Sequence, residues 1–322
     1  MGKLIKILML INLGFFSTQV FGQQMPQFSQ YIFNGLHVNP GYAGYKNVGY
    51  IQSTYRSQWI NFPGAPKTFT ATADFSANEG TMGFGVAFTH DEIGPTKTTG
   101  ALLTYAYHLQ VGRESFLALG ISGGLSDYRF DFDQLKPVDE DDPLLTEGIV
   151  NVLEPNLNVG LFYHTPKYYA GLSAYNIVST QALENQGVER KYENFHYYLT
   201  AGAIWPLSAV VSIKPSFLIK EVAGAPTSYD INTMFLLYER FWIGGSYRSN
   251  FNISKDNLQE DLSHRNAIAI VMEIFATDNF RIGYAYDHNL NALNNLRNSS
   301  HELSVGYYLS PRNVKMRNQR WF

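Results

Sequence analysis

Three groups of residues in this chain have types that could do chemistry. Val138-Asp139-Glu140-Asp141-Asp142-Pro143 sets four carboxylates side by side, the hard oxygen ligands that Ca2+ takes. The run lacks the spaced acids and the turn glycine of an EF-hand loop, so a solvated external loop without a bound ion or other cofactor is the favoured expectation. Asp287-His288 and Ser299-Ser300-His301-Glu302 supply a hydroxyl, imidazoles and carboxylates, the groups of a Ser–His–acid hydrolase. Neighbours in one strand point to opposite faces, so these groups do not converge by sequence proximity alone. A structural role is favoured, and no catalytic residue is expected. The third group is dispersed: Arg56, Asp74, Lys214, Lys220, Asp230, Arg248, Glu273, Arg281, Asp287 and Glu302 stand singly inside apolar stretches. Their role depends on which face of those stretches they occupy.

The stretches themselves read as strands. In Gly83-Phe84-Gly85-Val86-Ala87-Phe88-Thr89, the apolar residues Phe84, Val86 and Phe88 alternate with small or polar ones. Leu103, Tyr105, Tyr107 and Leu109 repeat the pattern, which has the period of a strand and not of a helix. About fourteen such segments follow, near 47–59, 66–78, 81–91, 97–110, 115–130, 154–164, 167–177, 195–206, 208–221, 227–239, 241–252, 263–275, 279–288 and 299–310. No helical segment is at hand to cover so much apolar surface. The economical solution is an all-β, antiparallel up-and-down barrel whose outer face meets lipid. Alternate connections are tight, as at Ala77-Asn78-Glu79-Gly80 and Ala276-Thr277-Asp278, and the intervening ones tend to be longer. Short turns face the periplasm in such barrels, which predicts both termini on that side.

Composition agrees with a membrane wall. Charged residues make up 16% and aromatics 15%, against a usual charged share of roughly 25%. Tyr and Phe number 22 each, and Tyr suits the bilayer interface. The mean hydropathy of −0.17 fits a barrel whose lumen residues offset its lipid face. A net charge of −3 argues against nucleic-acid binding, and the absence of cysteine excludes disulfides, thiolate metal sites and a Cys nucleophile. Lys3 and Lys6 followed by the apolar run from Ile7 to Phe16, with Val20-Phe21-Gly22 beyond it, predict a secretory signal over 1–22 cleaved near Gly22. Together these place the chain in a bacterial outer membrane.

The faces then sort by charge. Ile51, Tyr55 and Trp59, then Leu117, Leu119 and Ile121, then Val211, Ile213 and Phe217 are expected to meet lipid. So are Ile268, Ile270 and Ile274, with Leu303, Val305, Tyr307 and Leu309. The dispersed charges fall on the opposite face, as they must, because a charge at mid-bilayer costs roughly 2–4 kcal/mol. Their mixed signs predict ion pairs bracing the wall, Glu273 with Arg281 across a tight hairpin among them, and not a selective pore.

Three segments stand apart. Residues 23–46 do not alternate: Gln23 to Asn34 is amide- and aromatic-rich, and Asn39-Pro40-Gly41-Tyr42-Ala43-Gly44 is turn chemistry. This segment is either a plug folded into the lumen or a periplasmic tether, with the barrel and its tail occupying 47–322. The loop Phe62-Pro63-Gly64-Ala65-Pro66 pairs an exposed aromatic with rigid turn residues, suited to contacting a partner or simply to closing a hairpin. Val222-Ala223-Gly224-Ala225-Pro226 resembles it without the aromatic. The basic tail 312–322 ends in Trp321-Phe322 and either extends the last strand or forms a free arm.

Several stretches resemble the PorP/SprF family of outer-membrane proteins linked to type IX secretion. They are Pro26-Gln27-Phe28-Ser29-Gln30-Tyr31 with Asn39 to Gly44; Tyr55-Arg56-Ser57-Gln58-Trp59 ahead of Phe62-Pro63-Gly64-Ala65-Pro66-Lys67-Thr68-Phe69; and Asp91-Glu92-Ile93-Gly94-Pro95. Gly283-Tyr284-Ala285-Tyr286-Asp287 and Ser300-His301-Glu302-Leu303 complete the series. The resemblance implies an outer-membrane component that exports or retains adhesin-like cargo, in gliding and related behaviours. Its implied partners are the cargo's C-terminal domain and other secretion subunits. The residues alone leave an alternative: an outer-membrane channel for small or lipophilic solutes.

Overall fold

The structure, a computed structural model, describes residues 25–60, 62–135, 148–178, 195–222, 225–251, 266–290 and 299–309. The signal segment 1–22, the acidic run 139–142 and the tail 312–322 lie outside the described residues.

Alternation of side chains across a strand forces one face in and the other out, and the chain obeys this throughout. The strands are β1 (Gly49–Ser57), β2 (Lys67–Ala77), β3 (Met82–Ile93), β4 (Thr96–Gln110), β5 (Phe116–Asp131), β6 (Ile149–His164), β7 (Tyr168–Tyr175) and β8 (His196–Ala203). They continue as β9 (Trp205–Pro206), β10 (Val211–Val222), β11 (Thr227–Leu237), β12 (Phe241–Phe251), β13 (Ala267–Phe275), β14 (Phe280–Asn289) and β15 (Ser299–Leu309). β8 and β9 both pair with β10 and form one stave interrupted at Ile204. Each stave is antiparallel to the next in sequence, and β15 closes on β1 with Gly49 opposite Leu309 and Ser57 opposite His301. The result is a closed up-and-down barrel of fourteen staves with no free edge among them.

The outward side chains are apolar, as a lipid solvent requires. Leu303, Val305, Tyr307 and Leu309 stand exposed on β15, while Glu302, Ser304 and Tyr308 between them are buried. Leu103, the most exposed of the β4 series, is 69% accessible and has only lipid to cover it. The ten dispersed charges point the other way, and Asp230 and Glu302 are 0% exposed, whereas Asp127 and Arg129 near the end of β5 are exposed. Tight turns at one end carry left-handed backbone, Tyr238 at φ 51° and Glu239 at φ 52°, the twist that two-residue hairpins favour.

Four details depart from the sequence expectation. β6 begins at Ile149, opposite Asp131, so the 131–153 connection is shorter than expected and the β5–β6 hairpin taller. The 92–96 connection is a two-residue turn, because Ile93 and Thr96 still pair. Trp59 is not a lipid-facing strand residue: at φ 46° it has left β1 and is half-buried, with its N–H on Ser300 Oγ. The fourth concerns the N-terminal segment, which is the plug of the two expected alternatives but starts at the long-loop end.

Residues 25–48 fill the lumen. Three single 3-10 turns, Gln30–Phe33, Gly35–His37 and Pro40–Tyr42, keep the segment compact where no helix or strand pattern exists. Phe33, Ala43 and Tyr45 are at most 2% exposed there. Met25 lies beside His196 and Val222 at the long-loop end, whereas Val48 leads into β1 at the tight-turn end. The described segment thus starts at the long-loop end and leaves at the tight-turn end: an even stave count fixes where β1 starts, not where the chain ahead of it runs.

Candidate functional site

The inward charges do more than brace the wall; they hold the plug. Arg56 on β1 faces Glu302 on β15, their Cα atoms paired in register, and Asp287 on β14 lies beside them. Arg56 donates to Glu302 Oε2 at 2.9 Å and forms an ion pair with Asp287. Glu302 then accepts the backbone N–H of Ser29 at 2.8 Å and of Gln30 at 3.0 Å, and Ser29 Oγ donates to Asp287 at 2.7 Å. The Gln30 side chain spans from the Glu302 carbonyl at 3.1 Å to Ser304 Oγ at 2.7 Å. Bonds to charged acceptors are the stronger class, and here they terminate on plug backbone.

The remaining charges form four further contacts. Asp230 on β11 sits between Arg248, at 2.8 Å, and Lys220, at 3.5 Å, and Asn232 two residues on donates to Tyr31 OH at 2.6 Å. Lys214 Nζ donates to Ile32 O at 3.0 Å. Glu273 and Arg281 pair across the β13–β14 hairpin, and Asp74 accepts the Gly44 N–H at 3.0 Å. Next to it Lys46, 0% exposed, lies 3.4 Å from the centre of the Tyr50 ring. His37 stacks on Phe28 at 4.9 Å.

Wall glycines complete the socket, and sequence reasoning missed them. A Cβ at Gly120 would collide with the backbone of Pro40 and Gly41, one at Gly83 with Ala43, and one at Gly160 with Asn39. The plug side of the joint is Asn39-Pro40-Gly41. The Asn39 side chain accepts the Gly41 N–H at 2.8 Å and donates to Leu161 O at 2.8 Å, so it caps its own turn and grips β6. Gly44 adopts φ +74° against Gly83, where a side chain has neither the backbone region nor the room. The available signal was glycine at inward strand positions, which the alternation identifies but does not interpret.

At the long-loop rim, Phe62, Pro63 and Gly64 are exposed, Ala65 is half-buried and Pro66 is buried. Gly64 O accepts the Gly94 N–H at 3.0 Å, so the Phe62–Pro66 loop rests on the tip of the β3–β4 hairpin. The 222–226 loop lies partly outside the described residues. The rim connects to the clasp below through Trp59 N–H on Ser300 Oγ and Ile60 N–H on Ser299 O at 3.1 Å.

Among the described residues no triad geometry emerges at these groups. Asp287 and Glu302 point inward to Arg56, while His301 bonds Tyr284 OH at 2.6 Å from the other face. The pattern Gly-x-Ser-x-Gly does occur once, at Gly120-Ile121-Ser122-Gly123-Gly124, but within β5 and not at a strand-to-helix elbow. Ser122 Oγ there accepts from Asn158 at 3.0 Å. Among the described residues no group of His and acids could hold a metal ion.

Fold and site define a class: an outer-membrane β-barrel whose lumen is closed by its own N-terminal segment. The family Type IX secretion system membrane protein PorP/SprF matches residues 20–307, and the chain belongs to it. It is thus an outer-membrane component of type IX secretion. No curated protein matches the chain. Among solved structures, it is similar to a mutant of the TodX monoaromatic hydrocarbon channel at TM-score 0.50 and 9% identity, over 88% of this chain and 94% of that one. It is also similar to a Pseudomonas aeruginosa FadL homologue at TM-score 0.48 and 12% identity, over 90% and 96%. Acinetobacter baumannii Omp33 gives 0.49 and 8%, over 83% and 100%. These likenesses speak to the fold alone. The family stretches read in the sequence meet in space: Ser29, Arg56, Asp287 and Glu302 in the clasp, Gly64 and Gly94 at the rim.

Proposed function

We propose that this protein is a non-enzymatic, cofactor-free docking component that supports export or surface attachment of particular adhesin-like cargo. The carrying observation is the lumen: residues 25–48 occupy it and are bonded through their backbone to Glu302, Asp74 and Lys214. A filled barrel works through its surfaces. The rim formed by Phe62, Pro63 and Gly64 over Gly94 is rigid, exposed and partly aromatic, the composition of an interface anchor. It would receive the cargo's C-terminal domain, with the rest of the secretion machinery delivering it.

The test compares native cells with cells carrying Phe62→Ala plus Pro63→Ala, using mass spectrometry of proteins shaved from intact cells by protease. The expected result is loss of one or a few large surface proteins, with the barrel itself still present in the outer membrane. An unchanged surface proteome, together with a defect in uptake of a small or lipophilic solute on deleting the chain, would replace docking with the channel reading.

A further inference from the structure

The plug's two ends lie at opposite mouths of the barrel. Near β1, Gly44 bonds Asp74, Lys46 lies over Tyr50 and Asn47 crowds Gly80, all at the tight-turn end. At the start of the described chain, Met25 N–H meets His196 Nε2 at 3.4 Å and Tyr198 OH meets Met25 Sδ at 3.6 Å. His196 opens β8 at the long-loop end and pairs with Val222, where β10 finishes. Between these ends the chain descends to Phe33 beside Trp242, rises to Val38 on Ser173, and descends again to Ala43 on His108. A segment tucked in from the periplasm would have both its ends at the periplasmic mouth. This one does not.

We propose that the chain is threaded through its own barrel: the polypeptide at Met25 opens onto the cell exterior, while β1 starts on the periplasmic side. Two consequences follow from the geometry. The amides of Ser29 and Gln30 are held by Glu302 of the last strand, and Arg56 of the first strand completes the same cluster. The wall therefore closes around a plug already in place, because a finished barrel with this lumen has no room to pass a chain end. The N-terminal end of the plug is also available at the cell surface, beside the loops that would meet a partner.

The chain has no cysteine, so single-cysteine variants report position cleanly. One variant carries a short Gly–Ser linker with one cysteine inserted before Met25. Phe62→Cys, exposed at the long-loop rim, and Glu79→Cys, exposed in a tight turn, are the outside and inside references. Intact cells are treated with a membrane-impermeant maleimide, and folding is checked by heat-modifiable migration. Threading predicts that the linker cysteine labels as strongly as Phe62→Cys without gain on permeabilisation, whereas Glu79→Cys labels only after it. Labelling of the linker cysteine only after permeabilisation, with Phe62→Cys still labelled in intact cells, overturns threading and leaves the docking proposal standing. If Phe62→Cys is the protected one, the orientation is reversed and both fall. Should the insertion prevent folding, Met25→Cys, half-buried at the mouth, is read by the same criteria.

Discussion

Truncating Glu302 to alanine should weaken the barrel more than removing its lipid-facing neighbour Leu303. Glu302 is 0% exposed and serves two buried amides, at 2.8 and 3.0 Å, as well as Arg56 at 2.9 Å. Each buried donor left without an acceptor costs about 1–3 kcal/mol. Breaking a buried ion pair from one side costs about 3–5 kcal/mol, reduced here because Asp287 still holds Arg56. Taking the low end for both amides and a share of the pair gives about 4 kcal/mol. For a chain of this size that is a fall in Tm on the order of 10 °C. Glu302→Gln retains one acceptor oxygen and should melt between the two. The assay is thermal unfolding of detergent-purified protein, followed by the loss of heat-modifiable migration, with Leu303→Ala as control. If Glu302→Ala melts with the native protein, or above Leu303→Ala, the clasp does not anchor the plug.

Other substitutions test the remaining joints. Gly120→Val drives a side chain into Pro40 and Gly41 and should destabilise by about 1–3 kcal/mol or release that turn of the plug, while Gly123→Ala, facing only Asn156 O at 3.9 Å, should be silent; protease sensitivity of the plug reads both. Arg281→Met strands Glu273 in the wall and should cost about 3–5 kcal/mol, and adding Glu273→Leu should recover most of it in a double-mutant cycle.

Much of the wall was legible because alternation is a strict code. One-residue slips would place Glu302 or Asp230 in lipid, so the strand ranges and the inward charges follow from the same pattern. Interruptions were less legible. β6 reaches Ile149 because Val150 and Val152 continue the alternation into what composition marks as a loop, and Trp59 leaves the sheet through a backbone turn that its side chain does not announce. The plug has no periodicity to read, since 3-10 turns of three or four residues leave no repeat. Its amides, its Asn39-Pro40-Gly41 turn and the inward glycines of β3, β5 and β6 were each visible alone. Their complementarity exists only in three dimensions. The threaded path was hidden for the same reason: strand parity constrains the staves and says nothing of a segment that runs inside them.

The most direct test of a filled barrel that acts through its surfaces is electrical. Purified protein and a variant lacking residues 25–43 would be inserted into planar bilayers and their single-channel conductance recorded. The account predicts that the native protein stays closed and that the deletion conducts in discrete steps through a polar, charge-lined lumen. Equal conductance from both would contradict it and make passage, not docking, the use of this barrel.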